Sequence, residues 1–303
     1  MRTRFKQWLC MICLMIAGSP AGAIEPQTID LWPGLPPGDR KDMFPAEKNV
    51  AKSTDKPVGD RPIIKLTNVT HPILTLYKPQ PSIDTGTAII VCPGGGHSIL
   101  AYDHEGTETA EWLAGIGITG IVLKYRVPAR DPARRWLGAV QDAQRAVSLV
   151  RSKAGEWGID PKKIGMLGFS AGGETTGLTA IFDQQRQYAV VDKVDEQSSR
   201  PDFAMLIYPG GLWDSKARAL KDYVQPTKNT PPMFLVHAFN DPVDCRNSTQ
   251  LAEKLKDVGV SCELHVFATG GHGYGMRQTG HPVNSWPKLA QAWLKHQGYL
   301  QKK

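Results

Sequence analysis

Cysteine, long apolar runs and clustered charge are all scarce in this 303-residue chain, and each scarcity removes a class of protein. The five cysteines form no C-x-x-C pair and no His/Cys cluster, so no metal site is expected. Cys10 and Cys13 fall in the N-terminal apolar stretch, leaving the odd set Cys92, Cys245 and Cys262. Cys245 opens a predicted helix and Cys262 follows it. At ~1.5 Å per residue such a helix holds them on the order of 20 Å apart, beyond disulfide reach. Buried free thiols are therefore expected. The N-terminal apolar run, Trp8 to Ala17, is shorter than the roughly 20 residues that a bilayer demands. The net charge of +7 is mild, and Arg2, Arg4 and Lys6 supply part of it. The remaining charge is dispersed with no Lys/Arg run, which excludes a nucleic-acid patch. No internal repeat, second domain or insertion long enough for a large lid interrupts the chain.

The first residues do carry a pattern. A positive start precedes the run Trp8 to Ala17, and the small residues Ala21-Gly22-Ala23 follow. That order predicts a secretory signal peptide over 1–23, hence export to the periplasm or the medium, with no membrane insertion after cleavage. Residues 24–62 are rich in proline and charge and predict an irregular leader. Residues 63–303 predict a single domain large enough to be stable without disulfides or metals.

Within that domain the hydrophobic pattern alternates. Ile63–Leu66 and Ile73–Tyr77 predict a strand pair around the turn Asn68–Pro72. The continuous apolar run Thr87–Cys92 suits a parallel strand buried on both faces, and further strands are predicted at Gly120–Tyr125, Ile164–Phe169, Phe203–Tyr208, Met233–Phe239 and Cys262–Phe267. Helices are predicted between them, around Glu105–Ala114, Ala133–Lys153, Ala171–Phe182 and Ser248–Val258, with a last one at Ser285–His296. In the second helix Trp136, Val140, Ala143, Val147 and Val150 step by four and three, one helical face. The expected class is α/β: a mostly parallel central sheet of about eight strands, helices on both faces.

Gly168-Phe169-Ser170-Ala171-Gly172 is a G-x-S-x-G motif between an apolar strand and a small-residue helix. This is the setting of a nucleophile elbow, a sharp turn that lifts a serine hydroxyl above the sheet. Side chains at either glycine would strike neighbouring elements. A serine hydroxyl needs a base, and on such a scaffold the chain order is serine, acid, histidine. His272, in Gly270-Gly271-His272-Gly273 after the last strand, meets that order; His71, His97 and His104 precede the serine, His237 and His265 lie on strands, and His281 is the main rival. The acid comes from Asn240-Asp241-Pro242-Val243-Asp244 at a strand end. Asp241 is favoured because it lies nearer the strand end, where open α/β sheets carry their sites; Asp244 suits the cap of the next helix. An oxyanion needs fixed N–H donors: the Ala171 N–H and one from Pro93-Gly94-Gly95-Gly96.

Together with Tyr125-Arg126 and His237-Ala238-Phe239-Asn240-Asp241, these motifs make the chain, over roughly residues 60–300, similar to the hormone-sensitive-lipase-like esterases. It is more similar still to their secreted bacterial branch, the acetyl xylan esterases and related carbohydrate esterases. The resemblance implies an α/β-hydrolase fold and the catalytic set Ser170, Asp241 and His272. It implies oxyanion N–H groups from Gly95, Gly96 and Ala171, and no cofactor. Two positions depart from the pattern. Pro93 replaces the histidine before the three glycines, and Glu174 follows the elbow where many relatives carry histidine. Glu174 is either structural, in the first turn of a helix, or a partner of His97 or His104. An Arg126–Asp142 ion pair is expected. His97, Tyr102, Trp213 and Tyr274 are candidates for the mouth of the site. Export and the absence of a large lid point to a short acyl group on a bulky alcohol, such as acetyl on xylan. A peptidase similar to prolyl oligopeptidases and a non-catalytic binding protein on the same scaffold are the alternatives.

Overall fold

The computed structural model describes residues 25–182 and 185–302. The predicted export signal over 1–23 lies outside them. Strands in chain order are β1 (Gln27–Asp30), β2 (Lys48–Asn49), β3 (Lys65–Thr67), β4 (Ile73–Tyr77), β5 (Ala88–Cys92), β6 (Leu100–Ala101), β7 (Thr119–Lys124), β8 (Ile164–Phe169), β9 (Phe203–Ile207), β10 (Trp213–Asp214), β11 (Ala219–Leu220), β12 (Met233–Ala238) and β13 (Cys262–Phe267). The helices are α1 (Glu108–Gly115), α2 (Leu137–Ser152), α3 (Ala154–Trp157), α4 (Ala171–Ile181), α5 (Arg246–Asp257) and α6 (Trp286–His296).

An eight-stranded sheet in the order β1-β4-β7-β5-β8-β9-β12-β13 forms the centre. From β7 to β13 the pairings are parallel, while β1 and β4 run antiparallel at one edge. The continuous apolar runs are explained by burial on both faces. In β5, Ile90 and Cys92 pack with Val147 and Val150 of α2, whereas Ile89 and Val91 pack with Leu113 of α1 and Leu294 of α6. Leu178 of α4 and Leu251 of α5 complete a third cluster over β9 and β12. The expected α/β-hydrolase class is therefore the observed one.

Four expectations need correction. The leader 24–62 is not wholly irregular, because β1 joins the central sheet beside β4, and Leu31 and Trp32 enter its core. β3 and β4 do not pair with each other: β3 lies between β2 and β6 in a small separate sheet, and only β4 enters the main one. The three cysteines are free as expected, but Cys92 alone is buried and Cys245 and Cys262 are half-buried. α2 also starts later than its pattern suggests. The Asp131 carboxylate takes the N–H groups of Ala133 and Arg134 into a turn, and this holds them out of the helix.

Candidate active site

The parallel strands deliver the chemistry-bearing residues to one edge of the sheet. Ser170 follows β8, the glycine loop follows β5, Asp241 follows β12 and His272 follows β13. This is the carboxyl-terminal edge, where loops between strands and helices converge.

Ser170 sits at φ 52° and ψ −116°, a strained conformation for a residue with a side chain. Backbone bonds hold it there: its N–H donates to Ile207 O at 3.0 Å, and its carbonyl accepts from Glu174 N at 3.0 Å and Gly210 N at 3.1 Å. The turn is tight enough to demand glycine. A Cβ on Gly168 would lie 2.0 Å from Gly172 O, and one on Gly172 would lie 2.0 Å from Cys92 O.

The Ser170 hydroxyl lies 2.9 Å from His272 Nε2, and His272 Nδ1 lies 2.8 Å from Asp241 Oδ2. A carboxylate only accepts, so Nδ1 carries the proton and Nε2 is left to accept from the serine. The Asp241 side chain is buried, and its Oδ1 accepts the Val243 N–H at 2.7 Å. Asn240 Oδ1 accepts the N–H groups of Gly270 and Gly271, both at 3.0 Å, and so steadies the histidine loop. The rivals lie elsewhere. Asp244 accepts the Arg246 N–H at the start of α5, His265 pairs with Glu263, and His281 is exposed before the short turn Pro282–Ser285.

His237 is buried beneath Asp241, 3.5 Å from its Oδ2. Its Nε2 faces Val243 O and its Nδ1 faces Ser248 Oγ, both at 2.9 Å. Val243 O can only accept, so Nε2 is the donor and Nδ1 accepts from the serine hydroxyl. Burial lowers the His237 pKa against the opposing pull of the Val243 carbonyl and Asp241. Folding thus favours neutral His237, whose stabilising contribution is complete above the unfolded value of about 6.5 and is lost as pH falls below it. The thermal midpoint should fall between pH 7.5 and 5.5, and less steeply in His237→Gln; parallel curves for the two proteins would remove His237 as the cause.

A family model, BD-FAE, matches residues 74–208. The acetylxylan esterase of Xylanibacter ruminicola is 30% identical over 220 residues, 64% of this chain, and this chain spans only 42% of that esterase. The crystal structure of an acetyl ester-xyloside bifunctional hydrolase from Caldicellulosiruptor lactoaceticus superimposes with a TM-score of 0.70 and 31% identity, over 91% of this chain and 97% of that one. The chain belongs to the BD-FAE family. Esterase 2 of Thermogutta terrifontis also matches, with a TM-score of 0.63 and 27% identity over 78% of this chain and 94% of that one.

In this BD-FAE family member the loop after β5 is anchored from behind. Gly94 N–H donates to Glu105 Oε2 at 2.7 Å, and Arg135 donates to Gly96 O at 2.6 Å. Among the described residues, the N–H groups of Gly95, Gly96 and Ala171 have no protein acceptor. Gly96, Ala171 and Ser170 line one cleft of about 480 Å³.

Glu105 lies in a π-helical turn, Asp103–Thr107, that leads into α1, a feature no sequence signal marked. Its Oε1 accepts from the Tyr208 hydroxyl at 2.8 Å, and the same hydroxyl oxygen accepts the Gly275 N–H at 2.9 Å. A buried chain of hydrogen bonds therefore joins the glycine loop to the histidine loop. The Tyr208 ring also stands edge-on to the His272 ring, 4.9 Å away. Burial, with the Glu105 charge beside it, raises the Tyr208 pKa, so the phenol stays a donor. Tyr208→Phe leaves Gly275 N–H and one Glu105 oxygen unpaired. It should cost about 1–3 kcal/mol of stability and lower kcat on p-nitrophenyl acetate roughly tenfold through misplaced loops. Melting curves and steady-state kinetics test this, and an unchanged midpoint and kcat would refute the coupling.

Of the residues expected at the mouth, His97 lines the cleft and meets Glu174, Nε2 to Oε2, at 3.1 Å. Tyr274 is 1% exposed, packed edge-on against Tyr208, and cannot line a mouth. Tyr102 and Trp213 lie outside the cleft lining; Trp213 instead packs under Arg246. The cleft wall uses Trp136, Glu174, Lys221 and Tyr223, distant segments whose sequence pattern reads as ordinary helix and loop. Among the described residues no cluster of side chains is suited to hold a metal, and no helix is long and apolar enough to cross a membrane.

Proposed function

We propose that this chain is an exported serine carboxylester hydrolase that removes short acyl groups, acetyl above all, from carbohydrate esters such as acetylated xylan. The observation that carries the reading is the continuous line of hydrogen bonds from Ser170 Oγ through His272 to Asp241, opening on a cleft beside unpaired backbone N–H groups.

In this reading His272 Nε2 takes the Ser170 proton as the oxygen attacks the ester carbonyl carbon. The carbonyl π pair moves to oxygen, and the N–H groups of Gly95 or Gly96 and Ala171 hold the oxyanion. Asp241 stabilises the imidazolium. The carbonyl re-forms, the C–O bond to the alcohol breaks, and His272 returns the proton to the leaving alcohol. Water, deprotonated by His272, attacks the acyl-enzyme and releases the acid by the same route. These steps use no metal or cofactor. Export rests on the pattern of residues 1–23. The carbohydrate substrate is favoured by the acetylxylan esterase and the acetyl ester-xyloside hydrolase among the relatives.

Acetate release from acetylated xylan and from p-nitrophenyl acetate, by the chain freed of residues 1–23, tests the proposal with Ser170→Ala alongside. Acetate from both substrates, abolished in the variant, is the expected result. Release from the small ester alone would remove xylan as substrate, and release from neither would remove the esterase reading.

A further inference from the structure

We infer that Glu174, framed by His97 and Tyr223, forms a subsite beside Ser170 that binds hydroxyl groups of the substrate's sugar portion. The inference rests on the hydrolase reading above and names the residues that would recognise the alcohol side of the ester.

Glu174 lies one helical turn beyond Ser170 in α4, with its N–H bonded to the Ser170 carbonyl at 3.0 Å. That spacing puts both side chains on one face of the helix, and both line the same cleft. The Glu174 side chain is nonetheless only 9% exposed. A carboxylate so enclosed is costly unless donors surround it. Two protein donors approach: His97 Nε2 to Oε2 at 3.1 Å, and Tyr223 OH to Oε1 at a long 3.4 Å. A carboxylate offers about four acceptor positions. No Lys or Arg pairs with Glu174 among the described residues, although Arg135 and Lys221 stand on the cleft wall.

Glu174 therefore has acceptor capacity to spare at the wall of the cleft that holds the nucleophile. The ligand chemistry that fits is a set of neighbouring hydroxyl donors without a negative charge. A long alkyl chain would bury the carboxylate with nothing to replace its water. An anionic group would meet like charge. A sugar ring brings vicinal hydroxyls for the carboxylate, and its apolar edge meets the aromatic wall formed by Trp136 and Tyr223, whose rings lie 5.4 Å apart. Gly211 leaves the carboxylate room: a Cβ there would fall 2.1 Å from the Glu174 carboxyl carbon.

The test compares kcat/KM for a mono-acetylated methyl xyloside with kcat/KM for p-nitrophenyl acetate, in the wild type, Glu174→Gln and Tyr223→Phe. Hydrogen bonds to a charged acceptor predict that the xyloside-to-aryl ratio falls about tenfold to a hundredfold in Glu174→Gln, chiefly through KM. A smaller fall in the same direction is expected in Tyr223→Phe. If both substrates decline together and the ratio holds, Glu174 serves only the start of the helix and the inference is overturned. Turnover of the aryl ester but not the xyloside by the wild type would also overturn it while leaving the esterase reading intact. No turnover of either by the wild type would remove the esterase reading, and this inference with it. Should Glu174→Gln fail to fold, competitive inhibition of aryl-ester turnover by methyl β-xyloside decides the matter. Inhibition weaker in Tyr223→Phe than in the wild type supports the subsite, and equal or absent inhibition overturns it.

Discussion

Ser170→Ala should lower kcat on p-nitrophenyl acetate by about 10⁴-fold to 10⁶-fold, without a matching loss of stability. The size follows from geometry. Among the described residues, the oxygen that meets His272 Nε2, at 2.9 Å, is the Ser170 hydroxyl. Without it the backbone donors can still bind an ester and favour slow attack by water, so a residual rate remains. His272→Ala should cost nearly as much, and the double variant little more, because base and nucleophile act as one unit. Asp241→Asn should cost about 10⁴-fold for a different reason: an amide that donates toward Nδ1 favours the wrong tautomer and cannot stabilise the imidazolium. Thermal melts of each variant, beside steady-state rates, separate lost chemistry from lost protein. A Ser170→Ala protein that keeps more than about one part in a hundred of the rate would refute the assignment of the nucleophile.

The second large effect is on stability. Arg126→Met should destabilise the fold by about 3–5 kcal/mol, which lowers the thermal midpoint by on the order of 10 °C in a domain of this size. The Arg126 and Asp142 side chains are both fully buried, and Nε lies 3.0 Å from each Asp142 oxygen. The other guanidinium nitrogens donate to Pro37 O at 2.7 Å, Asp39 at 3.1 Å, Gly138 O at 3.1 Å and Gln141 at 2.9 Å. Trp32 donates to the same Asp142 at 2.9 Å. Burial alone would lower the Arg126 pKa, but the charges of Asp142 and Asp39 outweigh it and raise it, so the guanidinium stays charged. Removing the cation leaves the enclosed Asp142 with no counter-charge, while Asp39 keeps its pair with Arg130 at 2.8 Å. Adding Asp142→Leu to Arg126→Met should restore part of the loss, since an apolar pair carries no uncompensated charge. Thermal melts of the three variants measure this. A midpoint within about 2 °C of wild type for Arg126→Met would show that the pair contributes little. Because Arg126 binds Pro37 and Asp39, this network also fastens the N-terminal segment to the domain.

The sequence by itself determined the layered architecture and the order of Ser170, Asp241 and His272 along it. Continuous apolar runs at β5, β7, β8, β9 and β12 mark strands covered on both faces, and the stepping of α2 marks a helix. These are local periodicities that one segment displays alone. The placement of Ser170 after such a run, and of Asp241 and His272 after later ones, is also legible, because parallel strands bring their carboxyl ends to one edge. Tertiary structure decided the rest. β1 reads Gln-Thr-Ile-Asp, without an apolar run, and becomes a strand only because β4 offers a free edge to pair with. β3 and β4 look like a hairpin, yet each pairs with distant strands, since register depends on partners that a local pattern does not name. Tyr274 carries an aromatic ring suited to a site mouth, but its side chain turns inward onto Tyr208. The wall around Glu174 gathers residues 97, 136, 174 and 223 from four separate segments, and only the folded chain brings them within reach of one another. Which residues meet across a cleft is a long-range property of packing, whereas strand, helix and turn are written in the spacing of neighbours.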